Sequence, residues 1–229
     1  MENKIKNQSQ IAGAILIAGV IIAGAILLKG QQSPTVNPDG SPKLSDIKIK
    51  AVSPDEHIAG NPNAKVVIVE YSDSECPFCK VFQNTMNQVI SQTSGKVAWV
   101  YRHYPIAELH PKAFNEALAM ECAWEQGGND VFWKYANELF ARTESNNKLD
   151  PNELPKIATS LGLNIDTFYT CLSTEKYGDK IKAEMADGSK AGVNGTPNSF
   201  ILKNGKIVDT IQGAEPLESV MQKIDKALK

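Results

Sequence analysis

Two cysteines, Cys76 and Cys79, stand between a strand pattern and a helix pattern, and this arrangement constrains the fold more than any other feature of the sequence. Residues 66–69, just before the pair, are all apolar, which suits a central strand covered on both faces. After the pair, apolar residues recur at helical spacing, at Phe82, Met86, Val89 and Ile90. The pair therefore lies where a buried strand leads into the first turn of a helix.

The start of a helix favours a reactive thiolate on Cys76. With Cys76 as the N-cap, Pro77 takes the first helical position, where its missing N–H is not needed. The unpaired N–H groups of the first turn and the positive end of the helix dipole stabilise a thiolate there. Cys79 lies one turn further on, close enough to form a disulfide with Cys76. A zinc half-site or an inert local disulfide is the alternative, but the second C-x-x-C of a four-cysteine zinc site is absent.

The rest of the pattern predicts an α/β sheet interrupted by helices. Further strand patterns occur at residues 47–51, 96–104, 199–202 and 207–211. Asn204-Gly205 separates the last two and predicts a hairpin. Between the second and third strand patterns the chain is helical: Gly127-Gly128 divides the first helical stretch, and Asp150 and Thr174 are predicted to open two further helices. We predict one interrupted domain, not two domains in series.

The segment around the cysteine pair resembles a known family. Residues 67–82, VIVEYSDSECPFCKVF, together with a Gly-Thr-Pro tripeptide at 195–197 before a strand and the helical insertion between them, resemble the DsbA-like branch of the thioredoxin superfamily. The match covers residues 45–229. The implied fold is a thioredoxin fold with a first half at 45–105, a helical insertion at 106–190 and a second half at 191–229.

This resemblance implies roles for the site residues. Cys76 is expected to be the exposed nucleophile, Cys79 the buried resolving thiol, and the Thr196–Pro197 peptide bond a cis bond that faces them. The backbone of Thr196 would then pair with an extended substrate segment, as in β-augmentation. No cofactor is expected beyond the cysteines themselves.

Phe78 is a departure from the family. The best-known oxidase of the group has His before its second cysteine, so we expect this chain to have a less acidic nucleophile and to be a weaker oxidant. The pKa of Cys76 is expected to lie below the free value of about 8.5 but above the value of about 3.5 known for DsbA. Pro77 and Phe78 are expected to contact the substrate beside Thr196 and Pro197.

Glu70 ends the apolar strand, six residues before Cys76. The matching acidic residue of the family exchanges protons with the resolving cysteine, which implies the same role for Glu70 with Cys79. The alternative is a carboxylate at the strand end that turns to water.

Cys122 and Cys171 lie in two different predicted helices, and pairing within C-x-x-C leaves them for each other. We predict a structural disulfide that stabilises the fold by roughly 4 kcal/mol. The three histidines are predicted to be structural, with His57 in a loop and His103 near a strand end. A Cys-His hydrolase built on His103 would leave the second cysteine of the motif without a role.

The stretch from Ile11 to Leu28 is drawn only from Ile, Ala, Gly, Leu and Val. Its length comes close to spanning a hydrocarbon core of about 30 Å. We predict a tail and membrane anchor at residues 1–28 and a linker at 29–44, the alternative being a signal peptide cleaved near Ala23-Gly24-Ala25. The basic tail and the cysteine chemistry favour residues 30–229 outside the cytoplasm.

The formal net charge of -2 gives no electrostatic case for a nucleic-acid partner. We predict a thiol-disulfide oxidoreductase at the periplasm or cell surface that donates the Cys76–Cys79 disulfide to reduced or unfolded secreted proteins. A membrane redox partner would then restore the disulfide. A disulfide reductase of the same fold, a redox-inactive peptide-binding module and a four-cysteine metal site are the alternatives.

Overall fold

A computed structural model of the protein describes residues 44–229. Its strands are β1 (His57–Gly60), β2 (Val66–Ser72), β3 (Val97–His103), β4 (Asn198–Lys203) and β5 (Lys206–Gln212). Its helices are α1 (Pro77–Gln92), α2 (Ala113–Arg142), α3 (Glu153–Ser160), α4 (Ile165–Ser173), α5 (Gly178–Lys190) and α6 (Leu217–Leu228), and a short 3-10 turn lies at Leu44–Asp46.

The strands form one mixed sheet in the order β1-β3-β2-β4-β5. β2 runs parallel to β3, and α1 makes the crossover that a parallel pair requires. β4 pairs antiparallel with β2, and β5 antiparallel with β4. β2 is therefore central, as its continuous apolar run predicted. The β4–β5 turn is the predicted hairpin, with positive φ at both Asn204 and Gly205.

Apolar side chains cover both faces of the sheet. On one face, Val66 and Ile68 of β2 pack in the main core with Phe82 of α1 and Ile224 of α6. On the other face, a smaller cluster is formed by Val69, Tyr71, Val100, Ala191, Val193, Phe200 and Leu202. Full burial of one such aliphatic or aromatic side chain stabilises the fold by roughly 1.5–3 kcal/mol.

The helices α2 to α5 form the insertion between β3 and β4. Gly128 interrupts α2 with φ 64° and ψ -156°, at the break predicted from Gly127-Gly128. Cys122 of α2 and Cys171 of α4 form the predicted disulfide, with an S–S distance of 2.01 Å. This bond joins the first and third helices of the insertion.

Three local predictions were wrong. Residues 47–51 do not form a strand, because Ile47 and Ile49 dock on the smaller apolar cluster without joining the sheet. The first strand begins at His57, for which the sequence predicts a loop. Thr174 ends α4 instead of opening a helix, since its N–H donates back to Thr170.

The third helix also begins later than predicted. The carboxylate of Asp150 accepts the N–H of Asn152 at 2.9 Å, so it closes a turn just ahead of α3. The signal for the start of α4 is Asn164, which the sequence reading missed. Its side chain accepts the N–H of Thr167 at 2.9 Å, as an N-cap does.

Among residues 44–229, no helix is long and apolar enough to cross a membrane. The anchor predicted at residues 11–28 and the linker up to residue 43 lie outside the described residues.

Candidate active site

Cys76 occupies the N-cap of α1, with φ -76° and ψ 123°, and Pro77 is the first residue of the helix. The N–H of Cys76 donates to the carbonyl of Asp73 at 3.1 Å, which closes a turn between β2 and the helix. Cys76 was expected to be exposed, but it is only 5% exposed, and its partner Cys79 is fully buried as expected. Both thiols are free, so the structure describes the reduced form.

The pKa of Cys76 is lowered to about 6. The largest cause is the hydrogen bond donated by the Cys79 thiol, while burial of the sulfur opposes it. The backbone N–H groups of Cys79 and Phe78 also favour the thiolate, as expected at the start of a helix. A large fraction of Cys76 is therefore ionised at neutral pH, and the pKa lies between the free value and that of DsbA.

Cys79 has the opposite electrostatics. Burial raises its pKa well above the usual value, and the hydrogen bond to Cys76 and the negative charges of Cys76 and Glu70 raise it further. The N–H of Asp73 donates to the Cys79 sulfur at 3.4 Å. The pair is therefore asymmetric, with one thiolate-forming sulfur at the helix start and one buried sulfur that holds its proton.

The Thr196–Pro197 bond is cis, as predicted. Since β4 runs antiparallel beside β2, its first residues lie next to the end of β2, and this pairing brings residues 196 and 197 to the cysteines. The thiol of Cys76 donates to the Thr196 carbonyl at 3.3 Å. That carbonyl lies within reach of anything bound to Cys76.

Glu70 is fully buried beneath the motif, which excludes the alternative that it turns to water. The indole N–H of Trp99 donates to its Oε2 at 2.8 Å, while its Oε1 has no hydrogen-bond partner among the described residues. Burial raises the pKa of Glu70 to about 7, against partial compensation from Ser72 and Trp99. A buried carboxyl group with a raised pKa thus lies where the resemblance placed it, and its exchange of protons with Cys79 remains a prediction.

Replacing Glu70 by Gln is expected to stabilise the protein at pH 7.5. A carboxyl group whose folded pKa is raised from 4.5 to about 7 lowers stability as pH rises through this window, because the unfolded state releases its proton first. The cost above pH 7 is about 3 kcal/mol. Gln keeps an acceptor for Trp99 and cannot ionise.

Urea unfolding at pH 4.5 and pH 7.5 measures this effect. The stability gain of Glu70→Gln is expected at pH 7.5 and should vanish near pH 4.5. Thiol exchange by the Glu70→Gln protein is expected to be slower than that of the wild-type protein. Glu218→Gln, at an exposed carboxylate, is the matched control. A Glu70→Gln protein no more stable than wild type at pH 7.5 would contradict the assignment.

A group of buried acidic side chains beside the motif was missed by the sequence reading. Asp73, Glu75 and Glu116 are all buried. Asp73 accepts from the His110 imidazole at 2.9 Å, and Glu116 accepts the hydroxyl of Ser74 at 2.6 Å. The only signal in the sequence is that two acidic residues lie within three positions of the nucleophile, between the apolar strand and the start of the helix.

The other two histidines belong to a separate buried cluster. His57 Nε2 lies 2.7 Å and His103 Nε2 lies 3.0 Å from Glu121 Oε1, a grouping that could hold a metal ion. The ammonium group of Lys180 lies 2.5 Å from the same oxygen, so a cation of the protein's own already neutralises Glu121. Both imidazoles pair with Glu121, which argues against a role for His103 as the base of a hydrolase.

Comparison with known proteins agrees with this geometry. The family model described as thioredoxin matches residues 52–223. DsbA2 of Pseudomonas aeruginosa is 27% identical and superposes with a TM-score of 0.64, covering 77% of this chain and 96% of that one. BdbD of Bacillus subtilis, at 23% identity, a TM-score of 0.67 and coverage of 80% and 98%, shares the fold.

A curated relative of a different kind is the Na(+)/H(+) antiporter NhaA 1 of Mycobacterium sp. (strain KMS), 32% identical over 161 residues. This match covers 69% of the chain but only 25% of the antiporter, so the chain spans about a quarter of that relative's length.

An α/β sheet with a helical insertion, a C-x-x-C at the start of a helix and a facing cis-proline define a DsbA-like thiol-disulfide oxidoreductase. The chain belongs to the thioredoxin family.

Proposed function

We propose that the protein is a disulfide oxidase that works outside the cytoplasm and passes the Cys76–Cys79 disulfide to reduced or unfolded secreted proteins. The observation that carries the proposal is the stabilised Cys76 thiolate, with a pKa of about 6. Stabilisation of this thiolate lowers the free energy of the reduced form. A stabilised reduced form makes the oxidised form a better disulfide donor.

The reaction begins when a substrate thiolate attacks Cys76 Sγ in the oxidised protein. The Cys76–Cys79 bond breaks, a mixed disulfide forms on Cys76, and Cys79 leaves as a thiolate. The buried Cys79 sulfur strongly favours its protonated form, and Glu70 is the neighbouring carboxyl group that can supply the proton. A second substrate thiolate then attacks the substrate sulfur, and Cys76 leaves as a stable thiolate. The substrate gains a disulfide, and the protein takes up the two electrons.

The cis-proline segment supplies the docking edge for the substrate in this proposal. The Thr196 carbonyl lies 3.3 Å from Cys76 Sγ, so an extended substrate segment can pair with this backbone while its cysteine reaches Cys76. Pro77 and Phe78 would contact the same substrate, and the Phe78 side chain is 64% exposed. Backbone pairing would make the binding weakly selective for sequence.

Two features support a location of the protein outside the cytoplasm. The Cys122–Cys171 disulfide is of a kind that persists in oxidising compartments. The apolar stretch at residues 11–28 would anchor the chain. Fractionation of cells tests the anchor, and a soluble mature protein that begins near Ile26 would contradict it. A membrane redox partner that reoxidises the pair belongs to the same proposal.

The direction of transfer is tested by the reduction potential and by the redox state in the native compartment. We expect a potential clearly above that of thioredoxin, about -270 mV, and Cys76 and Cys79 oxidised at rest. A potential near that of thioredoxin with both thiols reduced at rest would overturn the oxidase assignment in favour of a reductase. Loss of exchange in both redox states would indicate a redox-inactive peptide-binding module.

A further inference from the structure

Glu75, the residue before the nucleophile, accepts hydrogen bonds from the backbone of a loop that is distant in the sequence. Its fully buried carboxylate accepts the N–H of Asn147 at 2.6 Å and that of Leu149 at 3.4 Å. Its carbonyl accepts the N–H of Asn146 at 2.7 Å. Three amides of the loop that follows α2 are therefore held by the residue that directly precedes Cys76.

This loop has an unfavourable backbone that needs such an anchor. Ser145, Asn146 and Asn147 have φ values of 64°, 54° and 66°. Non-glycine residues in the left-handed region each cost on the order of 1 kcal/mol, and they persist only where the surroundings fix them. The contacts from Glu75 are what fix Asn146 and Asn147.

Asn147 in turn forms hydrogen bonds with a second loop, at residues 105–112. Its side-chain amide donates to the Leu109 carbonyl at 2.9 Å, and its Oδ1 accepts the N–H of Lys112 at 3.4 Å. The same loop is also tied to Asp73, which accepts the N–H of Ile106 at 2.8 Å. The 105–112 loop is thus attached to the turn that carries Cys76 through two buried carboxylates.

The tip of the second loop is apolar and exposed. Leu109 is 64% exposed, as is Phe78 in the cysteine motif, and Val81 one turn along α1 is 57% exposed. Large exposed apolar side chains are typical of contact surfaces. The hydrogen bonds that join the loop to Asp73 and Asn147 fix the position of Leu109 relative to Cys76. Leu109 can therefore contact a residue near the cysteine of a bound chain.

We propose that Glu75 is a positioning residue that holds the 105–112 loop through Asn147, so that Leu109 contacts an apolar side chain flanking the substrate cysteine. This inference rests on the proposed exchange function and adds a substrate class to it, namely unfolded segments with apolar residues beside their cysteines.

Glu116 keeps the Glu75 carboxylate in place. Burial and a hydrogen bond to Glu75 raise the pKa of Glu116 to about 9, so Glu116 carries a proton at neutral pH. The protonated group can donate to Glu75 and leaves the Glu75 oxygens available to the loop amides. Two buried carboxyl groups can adjoin in this way without repelling each other.

The test compares two peptides, each with one pair of reducible cysteines, flanked by leucine in one peptide and by serine in the other. With the full-length oxidised protein, Leu109→Ala is expected to raise KM for the leucine peptide about tenfold and to leave its kcat and both constants for the serine peptide unchanged. Leu109 is exposed, so its replacement leaves the fold intact. Tyr169→Ala, at an exposed aromatic residue of α4, is the matched control.

Glu75→Gln tests the positioning step. In this variant a side-chain N–H group replaces one of the two oxygens that accept the loop N–H groups, so one hydrogen bond is lost. Hydrogen exchange at Asn147 and Leu149 should therefore accelerate at least tenfold. KM for the leucine peptide should rise as in Leu109→Ala, and the double variant should be no worse than either single variant. Glu116→Gln keeps a donor towards Glu75, so the two amides should stay protected.

The outcomes separate the two proposals. A wild-type protein that oxidises neither peptide would refute the exchange function. A wild-type protein that oxidises both peptides with the same KM, unchanged by Leu109→Ala, would refute the role of Leu109 alone. Additive effects of Glu75→Gln and Leu109→Ala would refute the positioning by Glu75.

Discussion

Replacing Cys76 by alanine is expected to abolish thiol-disulfide exchange, whereas replacing Cys79 by alanine is expected to trap substrates on Cys76. Cys76 lies at the helix start with its sulfur 3.3 Å from the Thr196 carbonyl, while Cys79 is fully buried. An incoming thiolate can therefore reach only Cys76. In Cys79→Ala the free Cys76 thiolate attacks a disulfide of a substrate protein, one substrate sulfur leaves as a thiolate, and the resulting mixed disulfide accumulates because the resolving thiol of Cys79 is absent. Without Cys76 no mixed disulfide forms.

Non-reducing electrophoresis with mass spectrometry of the trapped species measures both outcomes. The double variant lacking Cys76 and Cys79 is the control for adventitious disulfides. Substrates trapped on Cys79 in the Cys76→Ala protein would show that the assignment of the two sulfurs is inverted.

The Cys79→Ala variant is also expected to change the pH dependence of Cys76 alkylation. Alkylation of Cys76 in the reduced wild-type protein should reach half of its maximal rate near pH 6, the pKa of its thiol. The hydrogen bond from Cys79 is the largest cause of this lowered pKa, so Cys79→Ala should move the midpoint to higher pH. An unchanged midpoint would mean that the helix start alone stabilises the thiolate.

Removing the disulfide of the insertion is expected to destabilise the fold by about 4 kcal/mol, because Cys122 and Cys171 close a long loop in the unfolded chain. Their sequence separation is 49 residues. Alanine at both positions removes this constraint and places no unpaired hydroxyl group in the core. Exchange chemistry should survive at temperatures where the variant is folded, since neither cysteine belongs to the active site.

Urea unfolding of the oxidised wild-type protein and of the double alanine variant measures the loss. Mild reduction of the wild-type protein is a useful comparison, because it should open only the Cys76–Cys79 pair. Peptide mapping that joined Cys122 to either cysteine of the motif would contradict the pairing.

Several features of the site could be predicted from short stretches of sequence. The apolar run of β2, the cysteine spacing and Pro77 at the first helical position predicted a thiolate at a helix start. These are local effects, since helix capping, the helix dipole and the contact between residues three apart depend on neighbours in the chain. The Asn204-Gly205 hairpin was predictable for the same reason.

Other features depended on packing between distant segments. The alternation at residues 47–51 has the period of a strand, yet nothing in those residues says whether a neighbouring strand is free to pair with them. Thr174 has the side chain of an N-cap, but the helix beginning at Asn164 already occupies the residues before it. The meeting of Thr196 with Cys76 was inferred from the family resemblance and not from the residues themselves.

By itself, the sequence determined that Cys76 stands at the start of a helix and that Cys122 pairs with Cys171. The tertiary structure alone decided which carboxyl groups are buried, and these set the proton chemistry and loop anchoring of the site. Glu75 and Glu116 look like ordinary acidic residues in the sequence, because their burial depends on segments that are distant in the chain. A local pattern determines which groups a chain presents, but only the packed fold sets the dielectric environment and the hydrogen-bond partners in which they act.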